Sequence, residues 1–209
     1  MTAQTDRFPF QRIWVKPGAD RAKYDYILIR PVNTDYLLEN TGWKAANPGN
    51  TKLDEAAHEL AVYTEEAFDD AFRDWPNSAL LVGFQPGPRT LTLELAITEL
   101  VPAKAALGAV GLVAPFAGQA AVGAGAKVAS GKPSVAIEGR VLDSQTGELL
   151  MMFADREERQ WRVIDVKSVT WWGHAKPMIY DWARQCAELA NTPATYKVKD
   201  RSKFTLKPW

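Results

Sequence analysis

The sequence predicts an α+β domain: a mixed, largely antiparallel sheet with two helices packed on one face and an Ala/Gly-rich crossover segment. Three observations predict it. Residues 53–75 carry apolar side chains at three-and-four spacing with carboxylates between them. Residues 91–98 and 134–143 alternate apolar with polar or small residues, as half-buried strands do. The turn sequence "DSQTG" then joins the second strand to another apolar run, "ELLMMFADR". A chain of 209 residues buries a core as a single domain without covalent staples. Within it, residues 103–131 form the Ala/Gly-rich insertion and 193–209 a basic tail.

In chain order, "KYDYILIRPV" is aromatic and β-branched and stops at Pro31, which predicts a strand over 24–30. The turn-rich "YLLENTGWKAANPGN" is expected to be irregular, with Trp43 at the core edge or on the surface. The long helix follows, its stripe built from Leu53, Ala56, Ala57, Leu60, Tyr63, Thr64, Ala67, Phe68, Ala71, Phe72 and Trp75, with Pro76 ending it. Thr51 with Asp54 and Glu55 fits a capped, dipole-complemented start. A short strand over 79–84 precedes "QPGP". In the next strand Leu91, Leu93, Leu95 and Ile97 face the core; in the one after, Val135, Ile137, Gly139 and Val141 do. Pro177 opens the second helix, whose stripe is Ile179, Trp182, Ala183, Cys186, Ala187 and Ala190. Cys186 is therefore expected to be a core thiol, and a lone cysteine permits no internal disulfide.

Charge excludes some partners. With 25 basic and 25 acidic residues the chain has no net field for nucleic acid. The acids are nonetheless concentrated on the long helix, and Lys197, Lys199, Arg201, Lys203 and Lys207 on the tail. These runs either meet or are simply solvated faces. The start, "MTAQTDRFPFQ", has no apolar core of the signal-peptide kind, which leaves a cytoplasmic protein or a mature exported one.

Motifs for chemistry fail on spacing. "HEL" at His58 lacks the second histidine of a zinc helix, since Val62 stands there. "GAGAKVASGKPS" has five residues where a phosphate loop has four and Pro133 where it needs Ser or Thr, and it lacks the third glycine of a dinucleotide fingerprint. There is no "GxSxG", His58 and His174 read as helix-flank and helix-entry residues, and no catalytic residue, metal ligand or cofactor site is assigned. Among eight tryptophans, Trp161, Trp171 and Trp172 form the candidate ligand platform.

"YDYILIRPV", "TLTLELAITELVPAK", the Ala/Gly stretch, "VAIEGRVLDSQTGELLMMFAD" and "YDWARQCAEL" together resemble the DUF3313 family of bacterial lipoproteins. The family's hairpin motif falls on Glu138, Asp143, Ser144, Thr146, Gly147 and Glu148, and its helix pair on Trp182 and Ala183. The resemblance implies a periplasmic domain, anchored to the outer membrane through a lipidated N-terminal cysteine that this chain does not display. It implies no catalytic residues.

The resulting expectation is a non-enzymatic cell-envelope protein acting through self-association or contacts with envelope proteins, with peripheral or lipid-anchored membrane association. The alternative is a ligand-binding or catalytic domain using the Trp-rich pocket. For self-association the candidates are Ala114, Gly118, Ala121 and Gly125, small residues that permit close approach. The uncharged span 105–126 is long enough to cross a bilayer of roughly 30 Å, but Pro115 and Gln119 interrupt it. It is expected to be a crossover, either mobile alone or ordered as a hairpin by partners.

Overall fold

The computed structural model describes residues 2–3, 8–39, 51–101, 134–158, 173, 175–193 and 195–200, with backbone alone for 2–3, 38–39, 51–53, 101 and 158. Its strands are β1 (Thr2–Ala3), β2 (Arg12–Val15), β3 (Tyr26–Ile29), β4 (Leu81–Val82), β5 (Thr90–Val101), β6 (Ser134–Asp143) and β7 (Leu149–Glu158). They form one open sheet in the order β1-β2-β7-β6-β5-β3-β4. Strand β3 is parallel to both β4 and β5, and the other pairs are antiparallel. The helices are α1 (Asp35–Glu39), α2 (Thr51–Arg73) and α3 (Ala175–Asn191), so the α+β arrangement follows as the patterning requires.

Alternation sets the buried face. Leu91, Leu93, Leu95 and Ile97 are buried, and the register between β5 and β6 shifts between Ile97 and Glu99. That bulge changes the parity, so Leu100 rather than Glu99 enters the core. Opposite them lie Val135, Ile137 and Phe153, and the helices contribute Leu60, Phe68, Phe72, Ile179, Trp182 and Ala183 to the same cluster. The other sheet face mixes small and apolar residues, Ala96, Ala136, Met152 and Ala154, with ion pairs, Arg140 to Glu94 and Arg156 to Glu99 at 2.7 Å. Helices α2 and α3 run in the same sense. The Tyr63 hydroxyl donates to the Lys176 carbonyl at 3.3 Å, and one end further on the Arg184 guanidinium lies 5.5 Å from the Trp75 ring.

Several boundaries move for identifiable reasons. Tyr24 and Asp25 precede β3 rather than belonging to it: the Tyr24 hydroxyl donates to Asp143 Oδ2 at 2.8 Å, and Asp25 pairs with Arg89, which has φ +54°. Beyond Arg30, Pro31 has no amide proton to continue the ladder, and pairing resumes at Asn33, whose amide donates to Leu95 at 2.8 Å. The expected irregular segment begins instead with a turn of helix, α1. The Asn33 side chain accepts from the Asp35 amide at 2.7 Å, and Leu37 is buried beneath it. Trp43 lies outside the described residues, as does the Thr51 side chain proposed for capping; α2 already includes Thr51. The four-residue β2 is too short for periodicity to mark and is added by the structure.

Candidate functional site

The hairpin between β6 and β7 anchors one end of the molecule. Asp143 Oδ1 accepts from the amides of Gln145 at 2.9 Å and Thr146 at 2.8 Å, and Gly147 closes the turn at φ +72°. The Thr146 amide bond in particular holds the Asp143 carboxyl below the usual carboxylate range. Burial, with the bond to Asp143 adding to it, pushes the Tyr24 hydroxyl up to about 12. Tyr24 is thereby fixed as a neutral donor at the wall of an apolar cavity of about 170 Å³. Phe72 from α2, Leu91, Leu150 and Met151 from the sheet and Cys186 and Leu189 from α3 line this cavity. Its rim includes the exposed Asp20 and Arg21. Burial pushes the Cys186 thiol up to about 12, so it is a core thiol, as the stripe requires.

At the other end, β7 carries acid into the interior. The alternation that buries Phe153 also points Asp155 and Glu157 at the helix layer, opposite Ile137 and Val135. Asp155 is 2% exposed. Its Oδ2 accepts from the Trp182 indole at 2.8 Å and its Oδ1 from the Arg156 amide at 2.9 Å. Burial pushes its carboxyl up to about 7 and the charge of Asp200 adds to this, while the donors from Arg156, Trp182 and the Gln11 backbone pull the other way. Gln185, also fully buried on α3, makes no side-chain hydrogen bond among the described residues. Burial of the Asp155 carboxyl against the helix layer therefore favours its protonated form.

The third feature is at the sheet edge. Tyr26 on β3 and Leu81 on β4 are register partners, and a Cβ at Gly83 would lie 3.6 Å from Tyr26 Cβ. Phe84 follows directly. Tyr26, Leu81 and Phe84 are 43%, 58% and 87% exposed, three large apolar side chains within one short stretch of the sheet edge.

Of the residues singled out from sequence, Ala114, Gly118, Ala121, Gly125, Trp161, Trp171, Trp172 and His174 lie outside the described residues. His58 is exposed on α2, as its flank position predicts. Glu65 and Asp69 are part-buried rather than fully solvated, and Asp69 pairs with Arg73 on its own helix. In the described part of the tail Val198 is buried and Asp200 acts on Asp155, while Lys197 and Lys199 are exposed. Among the described residues there is no cluster of His, Cys, Asp and Glu fit for a metal, and no helix is long and apolar enough to cross a membrane. The cavity, the exposed edge and the buried Asp155 are all additions of the structure. Only Asp155 had a sequence signal, its parity with Phe153.

An open mixed sheet with two long helices on one face, closed at one end by an Asx-capped hairpin, defines the class of domain. The chain belongs to the DUF3313 family of proteins of unknown function, whose model matches residues 2–186. It is also similar to a PelC dodecamer from Paraburkholderia phytofirmans, with 11% identity and a TM-score of 0.44, over 87% of this chain and 96% of that one. A hypothetical protein of Chlamydia trachomatis, CT253, is similar with 11% identity and a TM-score of 0.42, over 80% and 97%. No curated protein matches.

Proposed function

We propose that this chain is a lipoprotein-like protein of the bacterial cell envelope, anchored to the outer membrane from the periplasmic side, that works by associating with further copies of itself. The observation that carries the association is the exposed edge group Tyr26, Leu81 and Phe84. A folded monomer gains nothing by presenting three large apolar side chains together, whereas burying them against another chain contributes about 25 cal/mol for each Å² removed from water. Ala114, Gly118, Ala121 and Gly125 are the candidates for a second contact, since small residues let backbones approach. The envelope location rests on what the family resemblance implies.

Light scattering coupled to size-exclusion chromatography tests the association. The expected result is a concentration-dependent assembly that Phe84→Ser weakens without lowering the melting temperature, because Phe84 contributes almost nothing to the core. A strictly monomeric protein in buffer and in detergent would overturn the reading. Fractionation of cells expressing the native gene tests location: recovery in the cytoplasmic fraction refutes the envelope assignment.

A further inference from the structure

The void between α3, the hairpin end of the sheet and the turn at 16–24 is used by none of the above. It is a cleft of about 170 Å³, open to solvent on the side of the exposed Val15, Ala19, Asp20 and Arg21 and floored by apolar core side chains. Its walls offer no polar atom in need of a partner: the Tyr24 hydroxyl is committed to Asp143, and the Cys186 thiol stays protonated. Water that enters finds few polar partners on these walls, and an apolar space of roughly 150 Å³ is enough for a six-carbon ring. Polarity appears only where the space meets solvent, at Asp20 and Arg21. The cover there is slight. The one turn of 3-10 helix Arg21–Lys23 has no buried residue, and short-range bonds hold it: Asp20 Oδ1 accepts from the Ala22 amide at 3.0 Å, and the Arg21 carbonyl from the Tyr24 amide at 3.0 Å.

We propose that this cavity is a binding site for the alkyl end of a single-chain amphiphile, about six carbons deep, with the polar head left at the Asp20–Arg21 rim. The occupant is set by volume and wall chemistry: a ring or short chain fills the space, while a charged group would be desolvated inside it without a partner. Both sign charges at the rim leave the head group a minor determinant, and chain length the major one.

The test is titration of the intact protein with n-hexanol and n-propanol, followed by methyl NMR. Hexanol is expected to shift the Leu91, Leu150 and Met151 methyls saturably while Leu60 and Ile97, remote in the core, stay in place. Losing three methylenes should weaken binding ~50-fold, and exchanging hexanol for hexanoate should change it far less. Ala190→Leu, which fills the cavity from α3, should abolish the shifts in a folded protein. Absence of saturable shifts, equal affinity for propanol, or unchanged binding by folded Ala190→Leu would each overturn the site. If that variant fails to fold, the wild-type methyl map decides: shifts spread evenly to Leu60 and Ile97 refute it.

Discussion

The buried Asp155 makes stability depend on pH in a direction opposite to that of most carboxylates. Its pKa rises from an ordinary 3.8 to about 7 in the fold. Between those values the folded chain holds a proton that the unfolded chain has released. The stabilisation from this group is therefore complete below about pH 4 and is lost as pH rises through about 7. At about 1.4 kcal/mol for each pH unit, roughly 3 kcal/mol disappears between pH 5 and pH 7. Asp155→Asn removes that titration at the cost of a fixed, pH-independent change, because an amide has one oxygen for the two donors from Trp182 and Arg156. Urea unfolding of both proteins at pH 5 and pH 8 isolates the effect, since groups not coupled to Asp155 cancel in the difference and Asp200, which is, stays ionised across this range. The variant is expected to gain about 3 kcal/mol relative to wild type on going from pH 5 to pH 8. Equal pH dependence in the two proteins would refute the argument that burial raises this group.

Other outcomes follow from particular contacts. Gly139→Ala would place its Cβ 2.2 Å from Cζ of Phe153, whose buried ring is stacked on Phe10 with centroids 4.3 Å apart and cannot swing away. A loss of about 1–3 kcal/mol is expected, measurable as a fall in melting temperature of about 2–4 °C per kcal/mol. Asp143→Ala should cost about 1–2 kcal/mol in urea unfolding through the lost turn bonds. It should also lower the ultraviolet-monitored pKa of Tyr24 from about 12, but not to 10.0, because burial is the larger cause and persists. Gly147→Ala, forced into φ +72°, should cost about 1 kcal/mol by the same unfolding assay. Cys186 should react with a bulky thiol reagent only at the rate of unfolding, and fast reaction in native buffer would contradict its burial.

Long periodic elements were legible because burial of one face dictates their residue pattern. Most of the stripe of α2, the stripe of α3 with Cys186 and the alternation of β5 and β6 reappear as buried positions, while Tyr63, Trp75, Val141 and Ala190 are partly buried at the core's edge and the Leu53 side chain lies outside the described residues. Turn chemistry was equally readable, since Asp143 and Gly147 do locally what their residue types favour. Short elements were less so: the four-residue β2 is too short for a period and exists because a longer neighbour offers it an edge, and of the strand expected over 79–84 only Leu81–Val82 pairs, as β4. Charge misleads in β7. "FADREE" suggests exposure, yet parity with Phe153 carries Asp155 and Glu157 inward, where the Trp182 indole from a remote helix supplies Asp155 with a donor. The cavity, too, has no signature in the chain, because it is the space left between Phe72, Leu91, Leu150 and Leu189, residues each of which reads simply as core.

By itself the amino-acid order determined the α+β class, the two amphipathic helices, the long strands and the capped hairpin, because each depends on side chains within a few residues of one another. Tertiary structure alone decided the order of strands in the sheet, the parallel placement of β3 beside β5, the proton held at Asp155, the apolar cavity and the exposed Tyr26–Leu81–Phe84 edge. Those features depend on which distant residues become neighbours, and burial, desolvation and residual space are properties of that packing.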